Sequence, residues 1–175
     1  IRASAFKNGQ SATLLEGESL FVDLQMVGYP STAPKEISEG LHVRRTYYNM
    51  NGTARNLNNV KSGDYVLVRV DAISDQRMPE ALLVDFLPAG FELENPGLEY
   101  AYDYSDVKIE GYTVSRWMSG ADIKHKEFRD DRFVMALELE KKRWSTVFYL
   151  MRAVTPGEYR IPPTQAEDMY RPNLR

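Results

Sequence analysis

Hydrophobic and polar residues alternate with a period of two along most of this chain, the spacing of strands that turn one face to a core. Leu20, Val22, Leu24 and Met26 alternate with Phe21, Asp23 and Gln25. Val66, Val68 and Val70 alternate with Leu67, Arg69 and Asp71, and Phe133, Met135, Leu137 and Leu139 with Val134, Ala136, Glu138 and Glu140. Each of these predicts a strand with one core face and one wetter face. Residues 146–154, TVFYLMRAV, are apolar nearly throughout and suit a central position in a sheet. Shorter strands are predicted at 41–48, 81–86, 110–117 and 158–161. Turn signals separate them: Asn51-Gly52, Ser62-Gly63-Asp64, Pro88-Ala89-Gly90, Asn95-Pro96-Gly97 and Pro156-Gly157. Helix is scarce. A turn or two could start at Ser119-Gly-Ala-Asp, between Ser119 and Arg129, although the charge run KHKEFRDDR there reads as easily as a solvated loop. The pattern predicts an all-β fold, an antiparallel sandwich or barrel.

Residues 29–40, YPSTAPKEISEG, carry two prolines and no apolar periodicity, so they read as a connector. The expected division is an N-terminal β segment and linker over 1–39, then the main sandwich with an extended arm over 40–175. The arm is the unusual part. In YRIPPTQAEDMYRPNLR, from Tyr159 to Arg175, Pro162, Pro163 and Pro172 bar a regular helix or a central strand, while Tyr159, Ile161, Met169 and Tyr170 still offer apolar surface to a neighbour.

With 175 residues and 43% hydrophobic content, the chain can bury a substantial core. Its net charge of -3, with 22 basic residues spread among 25 acidic ones, argues against nucleic acid as a partner. There are no cysteines, which removes disulfides, thiolate metal sites and a cysteine nucleophile. No apolar run approaches the roughly 20 residues that cross a bilayer. The opening IRASAFKNGQ has no signal-peptide character, so any targeting information is expected elsewhere.

Catalytic patterns are mostly missing. The two histidines, His42 and His125, have no metal-ligand spacing around them, and no nucleophile elbow, phosphate loop or dinucleotide fingerprint occurs. Asp103 with Asp106 and Asp130 with Asp131 read better as solvated loop charges than as an acid and base pair. Neither an enzyme nor a cofactor is expected. The aromatic residues leave one binding alternative: a carbohydrate-binding module whose exposed Trp117, Trp144, Tyr100, Tyr102 and Tyr104 form a stacking face. Tyrosines covering a core or sheet edge with the hydroxyl wet account for the same residues and are the preferred reading. Asn51-Gly52-Thr53 matches a glycosylation acceptor, but the hairpin turn is preferred there.

The succession GLHVRRTYYNMNG at 40–52, VKSGDYVLVRVDA at 60–72, LLVDFLPAGFELENP at 82–96, FRDDRFVMALEL at 128–139 and YLMRAVTPGEYRIPPTQAEDMYRP at 149–172 resembles the C-terminal domain of bacterial alpha-2-macroglobulins. The resemblance covers most of the chain from Gly40 onward and extends more weakly over 1–28. It implies a sandwich of macroglobulin-like type and a role without a reaction: the terminal, non-catalytic module of a broad-spectrum protease trap. In such proteins a bait region is cut, the molecule rearranges, and an internal Cys-Gln thioester is exposed to bond the protease. A chain without cysteine cannot carry that thioester. The resemblance implies instead that it packs against the thioester domain of the same polypeptide, with Tyr170 in EDMYRP as a lid and Met169, Glu167, Asp168 and Arg171 fixing its approach. Tyr170 packed back on its own sandwich is the competing structural reading. Target proteases would be met only through the full-length protein. The implied location is the periplasm, with membrane association only through an anchor outside this sequence, on the inner membrane.

Overall fold

An alternating strand has one apolar row to bury, and this chain buries its rows by stacking two four-stranded antiparallel sheets. The computed structural model describes residues 35–98, 100–171 and 173–174. The strand expected at 20–26 and nearly all of the segment expected over 1–39 lie outside the described residues. Every described element falls in the compact unit Ile37–Arg175.

In chain order the strands are β1 (Leu41–Tyr48), β2 (Tyr65–Ser74), β3 (Met78–Phe86), β4 (Phe91–Glu94), β5 (Lys108–Ile109), β6 (Tyr112–Thr113), β7 (Asp122–Phe128), β8 (Arg132–Leu139), β9 (Ser145–Ala153) and β10 (Thr164–Asp168). One helix, α1 (Val114–Met118), and a 3-10 turn at Leu57–Asn59 complete the described elements. The first sheet runs β1-β2-β9-β4 and the second β10-β3-β8-β7, with β5 and β6 as a separate hairpin.

The facing rows of the two sheets make the main core. Val66, Val68, Val70, Val147, Tyr149 and Met151 come from the first sheet, and Leu83, Phe133, Met135, Leu137 and Leu139 from the second. Each such side chain contributes about 1.5–3 kcal/mol when fully buried, an upper estimate for a chain already partly collapsed before folding. The back of the first sheet is buried as well. Leu67, Phe148 and Leu150 pack with Tyr48, Ile109 and Val114, so the hairpin and α1 lie over that face.

The cover corrects the expected wetter face of β2. Arg69 and Asp71 are buried there, and their charges are matched: Arg69 Nε donates to Asp71 Oδ1 at 2.9 Å and Nη1 to Glu110 Oε2 at 3.0 Å. Thr146 Oγ1 donates to the same Asp71 oxygen at 2.7 Å, and the Arg69 guanidinium lies 4.2 Å from the Trp117 ring centroid. Buried charges persist only when paired in this way.

Three local expectations are corrected. The helix expected between Ser119 and Arg129 is instead β7, whose residues pair antiparallel with β8. The strand expected at 110–117 is replaced by β6 and α1, because Glu110 and Gly111 both take positive φ to close the hairpin and the Thr113 side chain then caps Arg116 N–H at 3.3 Å. The strand expected at 158–161 does not form. There the Tyr159 ring closes on Gly90 and Gly157, where added Cβ atoms would lie 2.4 and 2.7 Å from it. The next strand begins at Thr164, immediately after Pro163, as a proline on an edge strand permits.

A buried polar cluster ties that edge strand to the first sheet. Asp85 on β3 accepts from Tyr149 on β9 at 2.7 Å and from Thr164 on β10 at 2.8 Å, and pairs with Arg45 on β1. Arg45 Nη2 also donates to the Pro162 carbonyl at 2.5 Å. One carboxylate therefore joins both sheets and fixes where the arm enters β10.

Candidate functional site

The arm forms a pinned turn that carries an exposed tyrosine. β10 pairs with β3 from Thr164↔Asp85 to Asp168↔Ala81. Ala166 packs toward the core while Gln165 and Glu167 lie on the exposed face. Beyond Asp168 the chain reverses: Arg171 N–H donates to the Asp168 carbonyl at 3.2 Å, Leu174 N–H to the Arg171 carbonyl at 2.9 Å, and Asp168 N–H to the Leu174 carbonyl at 3.1 Å. Leu174 is buried in the main core near Gly40, so the last described residue plugs the turn into the sandwich.

The Asp168 side chain locks the turn from within. It is 2% exposed, and its Oδ1 accepts from the backbone N–H groups of Tyr170 and Arg171, both at 3.0 Å. Its Oδ2 accepts from Arg171 Nε at 3.0 Å and Nη2 at 2.6 Å. Burial pushes the carboxyl upward, but the Arg171 guanidinium and the two backbone donors outweigh it and hold Asp168 below the ordinary carboxylate range. Arg171 Nη2 continues to the Arg77 carbonyl at 3.0 Å, and Met169 N–H donates to the Glu80 carbonyl at 3.0 Å.

On this base Tyr170 is 80% exposed, and Met169 beside it is also exposed. Tyr170 borders an open groove with Arg77, Pro79, Glu80, Asp168 and Arg171. Four of the five expected site residues thus belong to one turn, with Asp168 and Arg171 as its braces. Glu167 stands apart, exposed on the strand before it. Arg77, Glu80 and Leu174 complete the seat. Pro79 within an otherwise regular strand pattern is the sequence signal that β3 departs from its ladder there.

The other candidates lie outside the tyrosine turn. Trp117 is half-buried, donates Nε1–H to the Ile109 carbonyl at 3.0 Å, and meets Tyr112 edge-on at 85°. Trp144, 49% exposed, lies between β8 and β9 under Arg44. Tyr100 is open to solvent, Tyr102 leans on Tyr65, and Tyr104 joins the outer cluster, where burial pushes its hydroxyl up to about 12. Trp144 and Trp117 are linked through Arg44 and Arg69, which lie against them and both pair with Asp71. Asp103 is held low by the Ser105 N–H and Asp131 by Arg132, so neither is raised as a general acid requires. His42 Nδ1 lies 2.5 Å from Ser38 Oγ, and His125 sits on β7. The Asn51 side chain closes its own turn, accepting from Thr53 N–H at 3.1 Å and Thr53 Oγ1 at 2.6 Å. Among the described residues no helix is long and apolar enough to cross a membrane.

Residues 40–173 match the family described as the bacterial alpha-2-macroglobulin MG10 domain. The chain is 45% identical over 156 residues to an alpha-2-macroglobulin of Xylella fastidiosa, covering 89% of this chain and 10% of the relative. It is 39% identical over 161 residues to that of Escherichia coli, covering 90% and 10%. The fold superposes on Escherichia coli alpha-2-macroglobulin activated by porcine elastase with a TM-score of 0.76 at 40% identity, covering 84% of this chain and 13% of that one. The chain spans about a tenth of the length of these curated relatives.

Proposed function

This chain belongs to the bacterial alpha-2-macroglobulin family, through its MG10 domain, and on that premise we propose that it is the terminal, non-catalytic module of a protease-trapping protein, in which Tyr170 shields the thioester until the bait is cut. A thioester survives in water only while nucleophiles are kept from its carbonyl carbon. An aromatic ring suits that task because it covers a large apolar area with few rotatable bonds, and its hydroxyl can still find a polar partner. The chain itself has no cysteine, so the thioester it shields belongs to another domain of the same polypeptide.

The observation that carries this reading is the contrast between Tyr170 and its support. The ring is exposed, yet the backbone beneath it is fixed by Asp168, Arg171, the carbonyls of Arg77 and Glu80, and buried Leu174. A side chain carried on a fixed backbone and left uncovered by its own domain gives up only its rotamer freedom on docking, not the freedom of the chain beneath it. It also argues against the ring packing back on its own sandwich. Met169 adds apolar surface beside it, and Arg171 adds a charge at its rim.

The same proposal has the complete protein work in the periplasm, attached to the inner membrane through an anchor outside this sequence, and meet proteases through regions other than this module. The experiment is methylamine incorporation by the uncleaved full-length protein carrying Tyr170→Ala beside the unmutated form. Methylamine attacks the thioester carbonyl and expels the thiolate, so its rate reports how well the bond is covered.

A further inference from the structure

Two irregularities flank one point on β8. Along β3 the register advances three residues, from Met78 to Ala81, while β8 advances two, from Leu139 to Leu137. Along β7 it advances two, from Ile123 to His125, while β8 advances one, from Leu137 to Ala136. Leu137 therefore has a bulged strand on each side, paired with Ala81 and with Ile123. A bulge leaves a residue outside the ladder and turns its side chain or carbonyl to a new direction, and such features gather near functional sites.

Here the two bulges are joined. Lys124, the extra residue of β7, reaches across β8 and donates from Nζ to the Pro79 carbonyl at 2.5 Å and to Glu80 Oε1 at 2.8 Å. Pro79 and Glu80 are the extra stretch of β3. The same stretch seats the tyrosine turn, because the Glu80 carbonyl accepts from Met169 N–H; just before β3 the Arg77 carbonyl accepts from Arg171 Nη2. Arg77 is held in turn by Glu138 on β8, Nε to Oε1 at 2.7 Å.

The geometry points to Lys124 as a positioning residue for Tyr170: by bonding the displaced Pro79 carbonyl and the Glu80 side chain, it fixes the β3 bulge whose carbonyls set the angle of the tyrosine turn. The inference rests on the reading of Tyr170 as the thioester shield for its consequence, but not for its mechanics. The hydrogen bonds of Lys124 go to Pro79 and Glu80, which border the same groove as Tyr170. Lys124 acts from β7, with β8 and β3 between it and β10.

The test uses the full-length uncleaved protein with Lys124→Met, which keeps an apolar stem of similar length and removes the donor. Hydrogen exchange at the Met169 amide, which bonds the Glu80 carbonyl, is expected to rise about 2- to 10-fold, the range for losing a partly exposed charged hydrogen bond. Lys126→Met, two positions along the same strand, is expected to leave that exchange unchanged. Unchanged exchange in Lys124→Met, or an equal rise in Lys126→Met, overturns the proposal. Methylamine labelling supplies the second readout. Lys124→Met is expected to label faster than the unmutated protein and no faster than Tyr170→Ala, and to add nothing when combined with Tyr170→Ala. An additive effect in the double variant overturns the route through Tyr170. If Tyr170→Ala itself labels no faster, the shielding role fails, while exchange at the Met169 amide still decides the role of Lys124.

Discussion

Asp168 and Arg171 close on each other through two guanidinium contacts, at 3.0 and 2.6 Å, while the same carboxylate holds the backbone of Tyr170. The tyrosine therefore stands on a turn whose charge pair is half inside the protein. Asp168 is buried and Arg171 is partly exposed, so the carboxylate contributes more to the turn than the guanidinium does.

Replacing Asp168 with Asn keeps an acceptor for the two backbone donors but turns an NH2 group toward Arg171. A loss of about 1–3 kcal/mol is expected, reduced toward the lower end by the exposure of Arg171. The folded carboxyl lies below its unfolded value, so its contribution is fully present above about pH 4 and fades as pH falls through the folded value. Unfolding measured against pH checks this: the difference between the unmutated and Asp168→Asn chains should shrink only in the acid range.

Gly52 and Gly111 both take positive φ, but only one is crowded. A Cβ on Gly52 would lie 1.8 Å from the Lys108 carbonyl oxygen, whereas one on Gly111 meets nothing within 4 Å. Gly111→Ala is expected to cost about 1–2 kcal/mol for the left-handed backbone alone. Gly52→Ala is expected to cost several kcal/mol more or to displace the β5–β6 hairpin. Thermal unfolding of the two variants side by side distinguishes them.

Two tyrosines of the first sheet should respond oppositely to loss of the hydroxyl. Tyr149→Phe removes a bond to buried Asp85 and is expected to destabilise the chain by about 1–3 kcal/mol. Among the described residues the buried Tyr47 hydroxyl has no hydrogen-bond partner, so Tyr47→Phe is expected to be neutral or stabilising by up to about 1 kcal/mol. Denaturant midpoints at constant slope give the comparison.

Burial pushes Tyr47 and Tyr104 up to about 12, with Arg45 opposing the shift at Tyr47 and Asp103 adding to it at Tyr104. Burial, followed by the Asp85 charge, pushes Tyr149 well above the usual tyrosine value. A raised folded value means the stabilisation is complete below the unfolded value of about 10 and is lost as pH rises beyond it. Ultraviolet titration should show these three hydroxyls ionising only after the exposed tyrosines, together with loss of the fold.

The sequence made the sandwich legible where strands are long and fully paired. β1 runs over the expected 41–48, and β8 and β9 begin one residue before their predicted stretches, because their alternation is dictated by two sheets closing on Val147, Tyr149, Phe133 and Leu137. β7 was not legible. Only Ile123 and Phe128 among its seven residues are apolar, and its bulge breaks the period of two, so pairing with β8 decides the strand rather than local preference. The hairpin and α1 depend on positive φ at Glu110 and Gly111, which alternation cannot reveal. At the turn, EDMYRP displayed Asp168, Tyr170 and Arg171 together. Its seat was invisible because Arg77, Glu80 and Lys124 are distant from the turn in sequence and act there through carbonyls or across a bulge.

The most direct test is the rate of methylamine incorporation into the uncleaved full-length protein with Tyr170→Ala, measured beside the unmutated protein and with intact folding verified for both. Shielding by Tyr170 predicts faster labelling of the variant before any bait cleavage and equal labelling after it. Equal rates before cleavage would contradict the shielding role of Tyr170.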